Sequence, residues 1–290
     1  MSDDIEWLIT EPVLHEPVLV VMLTGWIDAA GAAAAALDAL SDECETSPIV
    51  RFDDDTYIDY RARRPTMELR DGVNTNLVWS TIEMRAGSAP GGRDVVLLTG
   101  PEPDAAWRRF TRTVTSIATQ LGVTQMISLG AYPFAAPHTR PSRLSASSPS
   151  TDVLGTVPFA RSSIDVPAGM AAALEHAMHA AKIPALGIWA QVPHYVSAMS
   201  YPAASVALLE GLEQATRIGV EAEGLRSAMA IQRERIDQMV AANDEHAAML
   251  GKLEELYDEA IEDEAVDPAL EMRSGDELAA EIQRFLRDQG

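Results

Sequence analysis

The chain has 290 residues, 47% of them hydrophobic, and a formal charge of −22. That length and apolar share suit one large α/β domain, alone or with an appendage, and exclude wholesale disorder. The charge repels phosphate backbones and anionic lipids, so nucleic acid and membrane surfaces are not expected partners, and the single cysteine, Cys44, excludes an intrachain disulfide or a thiolate-bound metal.

The first residues, Met-Ser-Asp-Asp-Ile-Glu, are acidic where a signal peptide needs a basic and then an apolar segment. No apolar run approaches the ~20 residues needed to cross a bilayer, so a soluble, cytoplasmic protein is expected. Val18 to Thr24 reads as a buried strand running into Gly25-Trp26-Ile27-Asp28, and the Asp28 carboxylate can cap an alanine-rich helix from Ala29 to about Leu40. Pro48 to Phe52 is a short strand. The acidic run Asp53-Asp54-Asp55 follows, and then the one basic cluster, Arg61-Ala62-Arg63-Arg64-Pro65. Met67–Arg70 and Leu77–Met84 alternate as strands of a hairpin turned at Asp71-Gly72, and Gly87 to Gly92 reads as a loop.

Asp94 to Thr99 is the next buried strand and delivers Gly100-Pro101-Glu102-Pro103. Behind it Trp107, Phe110, Val114, Ile117, Ala118 and Leu121 make one helical stripe. The apolar run from Met126 ends at Gly130, and the spacing of Pro133, Pro137 and Pro141 predicts a loop that presents His138, Thr139 and Arg140. The serine-rich stretch Ser142 to Asp152 predicts a mobile lid. A helix over Pro167–Ala181 follows, then a strand from Pro184 to Val192 that delivers Pro193-His194-Tyr195, then a helix from Pro202 with Val206, Leu209, Leu212 and Ala215 inward. From Met229 to Tyr257 a seam steps by three and four residues through Gln232, Ile236, Met239, Asn243, His246, Leu250 and Leu253, the pattern of one long helix or a coiled-coil-like pair. Pro268 and Gly275 interrupt it before a last helix from about Asp276 to Leu286. Glu210 to Gly290 carries 21 acidic and 8 basic side chains. The expected organisation is a three-layer α/β/α body over residues 1–219 with a mostly parallel central sheet, and an acidic helical appendage over 220–290.

Four strand tips would then meet at one margin, where open parallel sheets bind ligands and partners. They bring Trp26, Asp28, Glu102, His138, Arg140, His194 and Tyr195, with Arg63 and Arg64 near by. His138 and His194 suit proton transfer, with Asp28 as a third polar group, yet no nucleophile stands at a recognisable spacing from them; the alternative is that each histidine satisfies backbone in a proline-bent loop. Asp28 and Trp26 read either as a ribose and base site or as a helix cap beside an indole. Glu102, stiffened between two prolines, reads as a site residue or as a cap for the helix near Asp104. Asp53–Asp55 are expected to pair with Arg61, Arg63 and Arg64 in a local network; if the arginines instead face the margin they offer an anion site. Neither Pro-His pair has metal-ligand spacing, and Gly25 and Gly31 fit no phosphate-gripping pattern, so no metal and no cofactor is expected.

Arg61-Ala62-Arg63-Arg64-Pro65-Thr66, Gly100-Pro101-Glu102-Pro103, Pro137-His138-Thr139-Arg140-Pro141 and Val192-Pro193-His194-Tyr195, in this order, resemble the proteasome assembly chaperone family, in the bacterial branch with a helical carboxyl-terminal extension. Gly25-Trp26-Ile27-Asp28-Ala29-Ala30 is similar to that family's first strand end, and the resemblance spans roughly residues 15–260. It implies a fold related to nucleoside phosphorylases, self-association with a trimer as one arrangement, and proteasome subunits or another protein as partner. It supplies no agreed catalytic residues. Some family members dock through a tail with a penultimate tyrosine; Phe285-Leu286-Arg287-Asp288-Gln289-Gly290 has none, so docking of that kind is not expected. Two functions remain: a non-enzymatic assembly or scaffold protein, or a nucleoside-type binder, phosphorylase or hydrolase using His138, His194 and Asp28.

Overall fold

The computed structural model describes residues 4–10 and 12–266. In chain order the elements are β1 (Ile5–Trp7), β2 (Val18–Val21), α1 (Ala32–Glu43), β3 (Ser47–Phe52), α2 (Asp54–Tyr57), β4 (Thr66–Arg70), β5 (Val73–Val78), β6 (Glu83–Ser88), β7 (Asp94–Thr99), α3 (Trp107–Gln120), β8 (Gln125–Phe134), β9 (Leu144–Ser147), α4 (Thr151–Leu154), α5 (Met170–Ala180), β10 (Ala185–Pro193), α6 (Pro202–Thr216), α7 (Glu223–Ala241) and α8 (Asp244–Val266). Pro268, Gly275 and the helix expected over 276–286 lie outside the described residues.

Eight strands form one sheet in the order β1-β3-β6-β7-β2-β8-β10-β9. The central four, β7-β2-β8-β10, are parallel, and the strands on either side join antiparallel. Their sequences are largely apolar because both faces are covered, with Ser128 of β8 and Gln191 of β10 as buried polar exceptions. Val18, Val20, Leu97 and Ile127 pack under α1 and α6, while Leu19, Val21, Leu98 and Met126 pack under α3 and α5. The result is a three-layer α/β/α arrangement, with α7 laid over α6 through Ile236 and Val240. The α3 stripe buries Phe110, Val114, Ile117 and Ala118 as its periodicity predicts.

Several boundaries differ from the sequence reading, each for a long-range reason. The β4–β5 hairpin turns at Asp71-Gly72, but its second strand is Val73–Val78; Glu83–Ser88 is a separate strand that enters the main sheet between β3 and β7, so the predicted loop at Gly87 is partly strand. β8 does not stop at Gly130. It pairs with β10 through Pro133 to Phe134, and beyond Ser128 it has a strand neighbour on one side only, a setting in which proline is tolerated.

The serine-rich segment is no lid. Leu144–Ser147 is the edge strand β9, and Thr151–Leu154 is a helical turn capped by Ser150. Its hydroxyls are spent locally: Ser142 donates to the Gln191 carbonyl at 3.1 Å and Ser148 to that of Ala185 at 2.7 Å. The long seam is also broken. Asn243 Oδ1 accepts from the backbone N–H groups of Glu245 (2.9 Å) and His246 (3.3 Å), capping α8 and ending α7. Ile236, Leu253 and Tyr257 are buried, whereas Met239, Asn243 and His246 are exposed.

Candidate functional site

The parallel strands carry their tips to one margin, where the connecting loops pair with each other. Thr24 N–H donates to the Gly100 carbonyl at 2.9 Å and Glu102 N–H to that of Thr24 at 2.6 Å. Gly100 allows this turn: its φ is +119°, and a Cβ there would meet the Thr81 carbonyl oxygen at 2.4 Å. Asp28 bridges to Ala131 of β8, so the β2 tip touches both neighbours.

The carboxylates at these tips cap helices. Asp28 accepts from Ala33 N–H (2.8 Å) and Ala34 N–H (3.1 Å), across a 3-10 turn that delays α1 to Ala32. Burial pushes its pKa up, and those amides act against the rise. Glu102 is buried and accepts from Met170 N–H, so it caps α5 and not the helix near Asp104. Trp26 remains 39% exposed. It shares with Glu102 the space above Gly169, where a Cβ would lie 2.7 Å from the indole Cδ1 and 3.3 Å from Glu102 Oε1.

The expected network between Asp53–Asp55 and the arginines is not what forms. Asp53 bonds the Thr56 hydroxyl, and Asp54 Oδ1 accepts from Ile82 N–H at 3.0 Å, so the run anchors α2 to neighbouring backbone. Arg63 turns to the margin, where its Nε lies 3.1 Å from Asp104 Oδ2 and its fork lies against Gly25. That pairing neutralises it. Arg64 is exposed, with no ion pair among the described residues.

At the tips of β8 and β10 the other candidates assemble around Tyr195. Its ring meets His138 at 5.9 Å and His194 at 5.4 Å between centroids, both edge-on. The His138 side chain is fully buried. The Tyr195 hydroxyl accepts from His138 backbone N–H at 2.8 Å and lies 2.7 Å from Nδ1, while Nε2 lies 2.9 Å from Asp237 Oδ1, a carboxylate acceptor that favours the Nε2–H tautomer with Nδ1 accepting from the phenol. Burial raises the phenol's pKa, so that proton stays on Tyr195 at neutral pH. His194 is exposed, its carbonyl accepting from the Ser197 hydroxyl at 2.8 Å.

Arg140 reaches α8. Its Nε and Nη2 grip Asp258 at 2.9 and 2.7 Å, and its Nη1 lies 3.2 Å from Glu254. The guanidinium holds Asp258 below the usual carboxylate range. Thr139 also bonds Glu254, and Tyr257 donates to the Pro141 carbonyl at 2.9 Å. The loop 137–141 is thus clamped by α7 and α8. Asp237, Glu254 and Asp258 were missed in the sequence, where they are indistinguishable from a solvated acidic face, whereas Tyr257 stands at the end of the expected seam.

Of the nine candidates, the fold brings together His138, His194 and Tyr195, and separately Trp26 with Glu102. A cavity of about 450 Å³ beside the clamped loop is lined by His138 and Arg140 but by none of Trp26, Asp28, Glu102 or His194. Among the described residues no His, Cys, Asp and Glu group is arranged to hold a metal, and no helix is long and apolar enough to cross a membrane.

The model of the PAC2 family matches residues 22–240. A Mycobacterium tuberculosis protein of unknown function shares the fold with a TM-score of 0.83 and 32% identity, covering 91% of this chain and 92% of that one. A proteasome-assembly chaperone homologue of the same organism gives 0.74 and 33%, covering 80% and 99%. An archaeal proteasome activator of Pyrococcus furiosus gives 0.62 at 12% identity, covering 82% and 99%, which is a likeness of fold alone. No curated protein matches the chain at a significant level.

Proposed function

The chain belongs to the PAC2 family, and from that premise we propose that it is a non-enzymatic assembly factor, acting as a homo-oligomer, whose partners are proteins and in the first instance proteasome subunits. The observation that carries this reading is the use made of the polar groups at the strand tips. Asp28 and Glu102 are occupied as helix caps, and His138 is sealed between Tyr195 and Asp237. An acid–base pair must reach a substrate proton within about 3 Å or through one water. A fully buried imidazole with both nitrogens engaged offers no such reach. The likeness to a proteasome-assembly chaperone homologue at 33% identity supports the same direction.

Self-association has its own support in the β4–β5 hairpin. Every residue of β5 is exposed, and Met67, Leu69, Val73 (62% exposed), Leu77 and Trp79 leave its apolar side chains in water. A lone two-stranded hairpin is marginal in water. Covering that apolar surface with a second copy of the chain stabilises both the hairpin and the contact.

The test is reconstitution with purified proteasome α and β subunits from the same source, with ring formation followed by native electrophoresis. Faster ring formation, or stable co-migration with a half-ring, is expected. Unchanged kinetics without co-migration would overturn the partner, and nucleoside phosphorolysis lost in His138→Ala would overturn the non-enzymatic reading.

A further inference from the structure

The cavity of about 450 Å³ lies between α6, α7 and the loop after β8, within the size range of small-molecule sites. Its walls are mostly apolar, with Val206 and Ala207 from α6 facing Met229, Ala230 and Ile236 from α7. Yet Arg140, Arg226 and Arg233 also line it, in a chain of net charge −22. Two of the three are matched: Arg140 by Glu254 and Asp258, and Arg226 by Glu210 at 2.9 Å.

Arg233 makes no ion pair among the described residues. Its Nη2 donates to the Thr139 carbonyl at 3.3 Å, and the rest of its donor fork is uncommitted. Tyr201, buried, lines the same space. Burial pushes its phenol up to about 12, against a hydrogen bond with Ser142 and the nearby Arg233; the Ser142 hydroxyl already donates to the Gln191 carbonyl, so the phenol's proton goes to Ser142 and Arg233 is the donor left to a guest.

We propose that this cavity binds a small amphiphilic carboxylate, an acyl or aryl acid of medium length, held at its head by Arg233 and along its tail by the α6 and α7 side chains. A planar guanidinium fork matches a carboxylate in two parallel hydrogen bonds. One uncompensated positive charge balances one negative charge, and Arg140 and Arg226 are already matched, which disfavours a phosphate dianion. The apolar walls select an acid with a hydrocarbon tail over a small polar one. This inference does not rest on the assembly reading.

Sodium octanoate is the probe, titrated calorimetrically into the full chain, with octanamide as the uncharged control. Saturable one-to-one binding is expected for octanoate, and clearly weaker binding for octanamide. Arg233→Gln should weaken octanoate on the order of tenfold or more, the worth of a charged hydrogen bond, without altering octanamide. Arg233→Lys should recover part of the loss, and Ala207→Phe, which fills the space, should abolish binding of both. Arg233 is exposed, so its variants are expected to fold. No saturable heat with octanoate overturns the proposal. So does unchanged affinity in Ala207→Phe, and unchanged octanoate affinity in Arg233→Gln overturns the carboxylate assignment.

Discussion

His138 Nε2 and Asp237 Oδ1 lie 2.9 Å apart, although 99 residues separate them in the chain. The contact ties the loop after β8 to α7, and through the Tyr195 hydroxyl it reaches the tip of β10 as well. One imidazole therefore joins three segments that are distant in sequence. Replacing it with a ring that cannot hydrogen-bond strands a buried hydroxyl, so His138→Phe should cost about 1–3 kcal/mol in chemical denaturation. Asp237→Asn keeps an acceptor for Nε2–H and should cost much less. Cleavage at Ala242-Asn243, between α7 and α8, should speed up in His138→Phe under limited proteolysis. Equal stability of His138→Phe and wild type would mean that the contact is incidental.

Arg140 makes the matching contact to α8, with a two-pronged grip on Asp258 at 2.7 and 2.9 Å. The pair stands open to solvent, so its effect is expected on local order more than on global stability. Arg140→Ala should raise amide hydrogen exchange in Leu253–Tyr257 while leaving β2, β7 and β8 unchanged, and about 1 M salt should produce part of the same change in wild type by screening. Unaltered exchange in α8 would assign its docking to Leu253, Leu256 and Tyr257 alone.

How much of this was readable in advance depends on where each determinant lies. β2, β7 and the core of β8 were legible because a strand covered on both faces must be apolar throughout, and α3 because its stripe is local. Asp28 was legible as a cap, although the 3-10 turn moved the helix it serves. The passage of β8 through Pro133 was not, since it depends on which sides of the strand have neighbours. Nor was β9, where Ser145 bonds the Tyr132 hydroxyl and the flanking Ser142 and Ser148 donate to β10 carbonyls. The expected pairing of Asp53–Asp55 with the arginines failed because Asp104, brought from the β7 tip, is the carboxylate within reach of Arg63. Asn243 sat in the helical seam as one more polar position, and only the two amides it accepts reveal a break.

The exposed hairpin gives the third expectation. Leu69 and Val73 flank its turn, and both are half-exposed or more. An aspartate at each position places charge in the centre of the surface that a second copy would cover. On the proposed self-association, wild type should run as an oligomer in light scattering and the double variant Leu69→Asp, Val73→Asp as a monomer, with unchanged far-ultraviolet circular dichroism. An oligomer that survives both substitutions would move the self-association surface elsewhere.

Glu175 supplies a pH dependence of known sign. It is buried beneath the sheet, bonded by the Ser128 hydroxyl at 2.9 Å and the Ser147 hydroxyl at 3.4 Å, and makes no ion pair among the described residues. Burial pushes its pKa up from 4.5 to about 7, against the two serine bonds. Below the unfolded value both states hold the proton and nothing is lost. As pH rises from 4.5 to 7 the unfolded chain releases its proton first, so this group withdraws stability across that window and withdraws no more above it. The full loss is at most about 3 kcal/mol, the worth of such a shift. Glu175→Gln keeps the shape and an acceptor for Ser128 but cannot ionise. Its stability should match wild type near pH 4.5, exceed it progressively toward pH 7, and hold that excess to pH 8 in denaturant titrations. A difference that stays constant across the window would show that the carboxyl ionises in the folded protein as freely as in the unfolded one.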